Sequence, residues 1–242
     1  MDGTANVEAT DSSARLNAAL DVIVGNVTAT NVSIVSGANI VNAVNSTKNV
    51  TATNLRLAAI GSIGTSDRHV TTNIDNVSAS AANGSIYLTE DDAAIVTNVT
   101  VTVTAFNSDA SSTDIIDAAQ SDLSTGDNGN IVLVATLGNI TLNDGSDTDN
   151  TSVSANGTGN ILIDALADSI TANADILSDT GHITITANDD IEFTANVNVT
   201  TAAPGTVSID AETGTLTMDG TANVEATDSS ARLNAALDVI VG

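Results

Sequence analysis

The densest group of side chains that could do chemistry is an acidic loop over residues 143–150. Asp144, Asp147 and Asp149 lie close together in it, separated by glycine and small polar residues. Hard cations such as Ca²⁺ prefer several oxygen ligands on a tight, glycine-containing turn. The loop is not an EF-hand, because Thr158 falls where an EF-hand carries its bidentate acid. These three aspartates are the candidate metal ligands, Ca²⁺ is the candidate ion, and a solvated surface loop is the alternative interpretation.

A catalytic carboxylate pair is the second chemistry to weigh. Asp164 and Asp210 fall at equivalent positions of repeated segments, with Thr186 at the same position between them. Two strand spacings would separate the carboxylates by about 9.6 Å, near the upper end for an inverting glycosidase. No aromatic residue stands nearby to stack on a sugar. His69 is interpreted as a turn residue, and the sequence predicts a chain that is not an enzyme.

Two further acidic runs carry weaker signals. Glu90–Asp92 and Asp189–Asp190 are both flanked by segments of alternating apolar residues. We interpret both as solvated turns between strands.

The elements that position these side chains are set by repetition. Met1–Gly25 is identical to Met218–Gly242. Residues 1–217 therefore form one tandem-repeat unit, and residues 218–242 begin the next identical unit. Such self-similarity is typical of solenoids and arrays. It predicts that residue n of one unit lies in the same column as residue n+217.

A shorter period runs inside the unit. Apolar residues alternate with polar ones in short segments, which indicates strands rather than helices. Three such segments recur about every 22–24 residues, which predicts an all-β, right-handed parallel β-solenoid with about nine three-strand turns per 217 residues. The first predicted column is Ala14/Leu16, Val32/Ile34, Leu55/Leu57, Val77/Ala79, Val101/Val103, Ile131/Leu133, Ile161/Ile163, Ile183/Ile185, Val207/Ile209 and again Ala231/Leu233. The second is Val22, Ile40, Ile63, Ile86, Ile115, Ile140, Ile170, Ile191 and Leu216.

Corner residues refine this prediction. Asn31, Asn54 and Asn76 precede three successive strands, where stacked amides can bond to one another. Two longer turns interrupt the period. The segment Ser112–Leu123 fits a short helix or an excursion loop, and Asn143–Thr158 reads as a polar loop.

Composition and charge narrow the partners. Hydrophobic residues make up 42% of the chain but aromatic residues only 1%, and there is no cysteine, so disulfide staples and Cys-based metal sites are excluded. The net charge of −25 excludes nucleic acid and anionic membranes as partners. No apolar run reaches membrane-spanning length, so no membrane insertion is expected. Two kinds of partner remain possible. One is an adjacent copy of the repeat, joined end to end, and the other is a neighbouring fibre bridged laterally by divalent cations.

Four segments of the sequence resemble a known family of repeats. GNIVLVATLGNITLN, GNILIDALADSITANADI, GHITITANDDIEFTANVNVTT and PGTVSIDAETGTLTMDGTANVEAT share a glycine, an alternating apolar strand, and a second glycine-led strand. This pattern resembles the β-helical repeats of filamentous-haemagglutinin-type adhesins and other giant bacterial exoproteins. The resemblance implies an extracellular or cell-surface, non-catalytic right-handed β-helix.

Three functional hypotheses follow. The first is a structural repeat segment of a long extracellular filament or adhesin shaft. The second is a cation-binding matrix or sheath fibre, and the third is a polysaccharide-degrading β-helix enzyme. A near-perfect tandem repeat favours the first two, because an enzyme needs one site rather than a copy in every unit.

Overall fold

The computed structural model describes all 242 residues, and every regular element in it is a β-strand. The strands are β1 (Asn6–Ala18), β2 (Val22–Val24), β3 (Asn26–Ser36), β4 (Ile40–Asn42), β5 (Val50–Ala59), β6 (Val70–Ala81), β7 (Ile86–Glu90), β8 (Ala94–Val96), β9 (Val99–Phe106), β10 (Ser112–Gln120), β11 (Leu123–Thr125), β12 (Ile131–Ala135), β13 (Ile140–Leu142), β14 (Thr151–Ala155), β15 (Ile161–Ala165), β16 (Ile170–Ala172), β17 (Asp175–Ser178), β18 (Ile183–Ala187), β19 (Ile191–Phe193), β20 (Asn198–Ala202), β21 (Val207–Ala211), β22 (Leu216–Met218), β23 (Asn223–Thr227), β24 (Ala231–Ala235) and β25 (Val239–Val241).

The chain winds into a parallel β-solenoid, as the sequence predicts. Apart from β9 and β10, the strands pair in parallel with the strands of the neighbouring turns. Three stacks of strands result, which we call face 1, face 2 and face 3. Face 1 contains Val7, Val27, Val50, Thr72, Ala94, Ile140, Ile170, Ile191, Leu216 and Val239. Face 2 contains Ala14, Val32, Leu55, Val77, Leu123, Val153, Ile176, Val199 and Val224. Face 3 contains Val22, Ile40, Ile63, Ile86, Ile131, Ile161, Ile183, Val207 and Ala231.

The core is the slot enclosed by the three faces. Alternate residues of every strand point inward, and like side chains stack on like from turn to turn. Ile163, Ile185 and Ile209 lie directly above one another on face 3 and are each 0% exposed. This confirms the predicted burial of the apolar columns. The one aromatic residue in the core is Phe193, because the slot favours β-branched and small side chains.

The corners hold their own ladders. The Asn54 amide donates to Asn31 Oδ1 at 2.7 Å, and the Asn76 amide donates to Asn54 Oδ1 at 2.9 Å. These bonds confirm the predicted asparagine ladder. At the corner before face 3, a Cβ on Gly181 would lie 1.9 Å from the carbonyl oxygen of Gly159 in the turn below. Only glycine allows the turns to approach so closely there.

One predicted turn of the solenoid is instead a hairpin. Strands β9 and β10 pair antiparallel with each other and leave the stack between Ala94 and Leu123. The placing of Val101/Val103 and Ile115 in the solenoid columns is therefore wrong, as is the helix over Ser112–Leu123. A hairpin strand alternates with period two just as a solenoid strand does, so the pattern cannot separate them. The long polar loop also proves shorter, because β14 lies within it.

The hairpin changes the register of everything after it. The first predicted column merges face 2 before the hairpin with face 3 after it. Counted by face, Val224 lies 25 positions after its copy Val7, because β1, β3, β5 and β6 each supply two faces; at three positions per turn this is eight and one third turns rather than nine. Residue n and residue n+217 therefore lie on different faces. Ala14 is on face 2, whereas its copy Ala231 is on face 3.

The stacking predicts a specific stability effect. Replacing Ile185 with alanine should lower the free energy of unfolding by about 2–4 kcal/mol, because it leaves a cavity in a close-packed column. The Thr184→Ala variant is the matched control, since Thr184 lies on the outer side of the same strand. Urea unfolding followed by circular dichroism measures both. Equal losses in the two variants would contradict the assignment of inward and outward positions.

Candidate metal centre

Asp122 is the candidate ligand that sequence reasoning missed. It lies where the chain returns from the hairpin to face 2, immediately before the buried Leu123. Its carbonyl oxygen accepts the amide of Ala79 at 2.8 Å, which continues the parallel ladder. The backbone of Asp122 has φ of 64°, a left-handed value that Asp tolerates. The side chain is therefore held at the corner with the residue only 6% exposed.

The acidic loop folds over this corner. The amide of Ser146 donates to Ser121 Oγ at 3.0 Å, next to Asp122. A Cβ on Gly145 would lie 2.0 Å from the same Ser121 Oγ, so the close approach of the loop requires glycine. At the start of the loop, the amide of Asn143 donates to the carbonyl of Val96. The loop is thus seated on the preceding turn rather than extended into solvent.

Three carboxylates converge where the loop meets the corner. One oxygen each of Asp122, Asp144 and Asp147 lies within 4.8 Å of the others. The Oδ1 atoms of Asp122 and Asp144 are both buried without a hydrogen-bond partner. Asp149, the third ligand that the sequence proposes, is not one of these three carboxylates, and its Oδ1 accepts the amide of Thr151 at 2.8 Å. The structure thus brings Asp144 and Asp147 together with Asp122.

The electrostatics of the cluster are those of crowded acids. Burial first, and then the charges of Asp147, Asp149 and Asp144, together raise the pKa of Asp122 to about 7. The backbone amide of Gly145 opposes the shift. Because no positive charge lies among them, ionising all three carboxylates near neutral pH costs electrostatic repulsion.

The donor set suits a hard divalent cation. All three groups offer oxygen, which Ca²⁺ and Mg²⁺ prefer, and none offers the nitrogen or sulfur typical of zinc sites. Ligands about 2.4 Å from a calcium ion lie at most about 4.8 Å apart, and the carboxylate oxygens meet that limit. Asp122, Asp144 and Asp147 would hold the ion, with water completing the coordination.

A second buried acid lies in a run interpreted as a solvated turn. Glu90 is 0% exposed, which corrects that interpretation. Thr72 Oγ1 donates to its carboxylate, and so do the amides of Ile74 and Asp92 at 3.1 and 3.2 Å. Burial raises the pKa of Glu90 despite these bonds. Because its oxygens are satisfied within the protein, Glu90 is a structural group rather than a ligand.

The residues considered for catalysis are spread out. Asp164 and Asp210 do lie in one outward column of face 3 with Thr186 between them, as predicted. Asp210 forms a salt bridge with Arg232, whose Nη1 donates to Asp210 Oδ2 at 3.0 Å. His69 Nδ1 is 2.8 Å from Thr89 Oγ1, and burial lowers the pKa of His69. Neither group forms a nucleophile–base constellation.

Comparison with known proteins adds no identification. Neither the protein-family models, nor the curated proteins, nor the solved structures returned a match to this chain. No helix in the chain is long and apolar enough to cross a membrane.

The raised pKa of Asp122 predicts a pH dependence in the presence of chelator. Its contribution to stability is fully present below about pH 4 and is lost as the pH rises through about 7, at about 1.4 kcal/mol per pKa unit. Asp122→Asn should remove this fall. Asp189→Asn, the control, should keep it, because Asp189 is exposed and is not among the charges that act on Asp122. Urea unfolding from pH 4 to 8 measures both variants, and parallel curves for wild type and Asp122→Asn would contradict the assignment.

Proposed function

We propose that this chain is a structural segment of a long, non-catalytic extracellular filament or adhesin shaft, built by stacking identical units end to end. The observation that carries the proposal is the pair of identical segments. Met1–Gly25 lies beneath the turn that begins at Asn26, whereas Met218–Gly242 lies on the turn formed by Asn198–Leu216. The same sequence thus accepts a turn above and a turn below. Together the two copies describe an uninterrupted junction.

Both copies keep the same local shape. Asp11 and its copy Asp228 have φ of 54° and 56°, so the corner turns in the same way on different faces. The strands after that corner are also equivalent, in β1 and in β24. These features support continuation of the stack by another unit.

The fractional turn count gives the filament a further property. Because each unit contains eight and one third turns, each successive unit starts one face later. Three units restore the original face after 25 turns, a rise of about 120 Å at 4.8 Å per turn. Hairpins and acidic loops of successive units would therefore project from three sides of the rod. The acidic surface would keep such rods apart in solution.

A cation-binding role is the second candidate function. The observation that favours it is the pair of buried, unpartnered oxygens on Asp122 and Asp144, which face Asp147. Buried polar atoms in proteins nearly always have a partner. A calcium ion would supply one, fasten the acidic loop to the hairpin return, and remove the repulsion among the carboxylates. One such ion per unit would make the stability of the filament depend on calcium.

The shaft proposal predicts a length increment. Polypeptides of one, two and three units should form rods of constant cross-section that lengthen by about 40 Å per unit. Small-angle X-ray scattering and electron microscopy measure this. As a control, Leu233→Asp at each junction should break the rod, because Leu233 packs against the core there. Compact multi-unit particles, or units joined as separate beads, would overturn the proposal.

The calcium proposal predicts a stabilisation that depends on particular residues. Calcium at 100 times its dissociation constant should raise the free energy of unfolding by about 2.7 kcal/mol. Asp122→Asn and Asp147→Asn should lose this gain, whereas Asp189→Asn, at an exposed acidic turn, should keep it. Unfolding in calcium, in chelator, and in sodium of matched ionic strength decides. An equal calcium-dependent gain in the wild type and all three variants would show that calcium acts only as a diffuse counterion and would contradict the proposal.

A further inference from the structure

The hairpin of β9 and β10 lies along the outer surface of face 2. Gln120 Nε2 donates to the carbonyl of Leu57 in the third turn, and Arg56 Nε donates to the carbonyl of Ala118 at 3.1 Å. Asp117 binds Arg15 in the first turn through two bonds of 2.8 and 3.1 Å. From Gln120 to Asp117 the hairpin thus runs along the solenoid axis, from the third turn towards the first.

The hairpin does not end at the first turn. The five residues Ser112–Ile116 extend β10 beyond Asp117, a length of about 16 Å or roughly three turns of the solenoid. The hydrogen bonds of this outer part are internal to the hairpin, such as Thr104 Oγ1 to Asp114 at 2.7 Å. The tip therefore projects beyond the turns of its own unit.

The side of the hairpin that faces the solenoid carries apolar residues beside Asp117. Val101, opposite Asp117, is 2% exposed because it lies against face 2. Strand alternation places Val103 and its partner Ile115 on the same side. Ile115 is 37% exposed, since no turn lies beneath it. Ile116, on the opposite side, points away from the solenoid.

The second copy of the repeat shows what lies beneath that overhang. Strand β24, the copy of the Arg15 strand, stacks on β21, and β21 stacks on β18. The outward residues below Arg232, the copy of Arg15, are Ser208 and then Thr184. These residues are small, as are Ser33 and Ser78, which lie beneath the hairpin in its own unit and are 0% exposed.

We infer that each hairpin is a clamp that crosses the repeat junction and lies on face 3 of the preceding unit, with a second copy of this chain as its partner. The inference rests on the proposed function. Charge supports the match. Arg15 binds Asp117 of the hairpin, and its copy Arg232 binds Asp210 of the turn below at 3.0 Å. At a junction one arginine, with five N–H donors, bridges the hairpin of one unit and the outer surface of the other.

The test uses thiol labelling in a two-unit polypeptide, which is clean because the chain contains no cysteine. Ile115→Cys in the second unit should react about tenfold more slowly than Ile115→Cys in the first unit, whose hairpin has no preceding unit to cover. Val103→Cys provides a second reporter on the same side. Ile116→Cys is the matched control and should react equally in both units. Equal rates for Ile115→Cys in the two units would overturn the clamp.

A further reporter separates this inference from the proposed function. Leu233→Cys faces the core in the first turn of the second unit, a turn that the 242-residue chain already contains, and the following turns of that unit should shield it if the stack continues. Loss of that shielding when the polypeptide is shortened to residues 1–242 is the expected result. If Leu233→Cys is shielded while Ile115→Cys reacts equally in both units, the shaft proposal is supported and the clamp inference is wrong. If Leu233→Cys is not shielded, the proposed function itself fails.

Discussion

The rest of the structure depends on parallel backbone pairing between consecutive turns, in register, around a slot only a few side chains wide. Each strand satisfies its amides and carbonyls with the strand one turn before and the strand one turn after it. The same register places Ile163, Ile185 and Ile209 in one column, so hydrogen bonding and apolar burial require the same alignment. A slip of one residue would turn every inward side chain outward. The glycine and asparagine corners follow from this constraint, because every turn must close at the height of the one below.

This register also explains how one sequence occupies two environments. The solenoid faces differ little in their backbone geometry, so a segment of three short alternating strands can begin on face 1 or on face 2. The first copy begins on face 1 at Val7, and the second begins on face 2 at Val224. What changes is the outer surface that each copy meets. Arg15 lies under the hairpin with its side chain 19% exposed, whereas Arg232 is 57% exposed.

Three partly or fully buried carboxylates show three ways of holding an acid in this fold. Glu90 is surrounded by donors from its own turn and the turn below. Burial alone would raise the pKa of Asp117, but hydrogen bonding to Arg15 holds it below its usual range. Asp122 has neither arrangement, and the negative charges of its neighbours Asp144 and Asp147 disfavour its ionised form. A buried acid with an unpartnered oxygen and no cation is costly, which is why this corner, among the many acidic residues, is the candidate metal centre.

The sequence by itself determined the fold class, the exact repeat, the inward columns within each run of regular turns, and the asparagine ladder. These features are local, because period-two alternation and the glycine and asparagine residues of the corners involve only residues that are close in sequence. The tertiary structure alone decided that Val99–Gln120 is an antiparallel hairpin. That choice shifts later strands by one face, and alternation does not record which strand pairs with which. It also decided the composition of the acidic cluster. Asp122 is distant in sequence from Asp144 and Asp147, and only the return of the chain from the hairpin brings their carboxylates together.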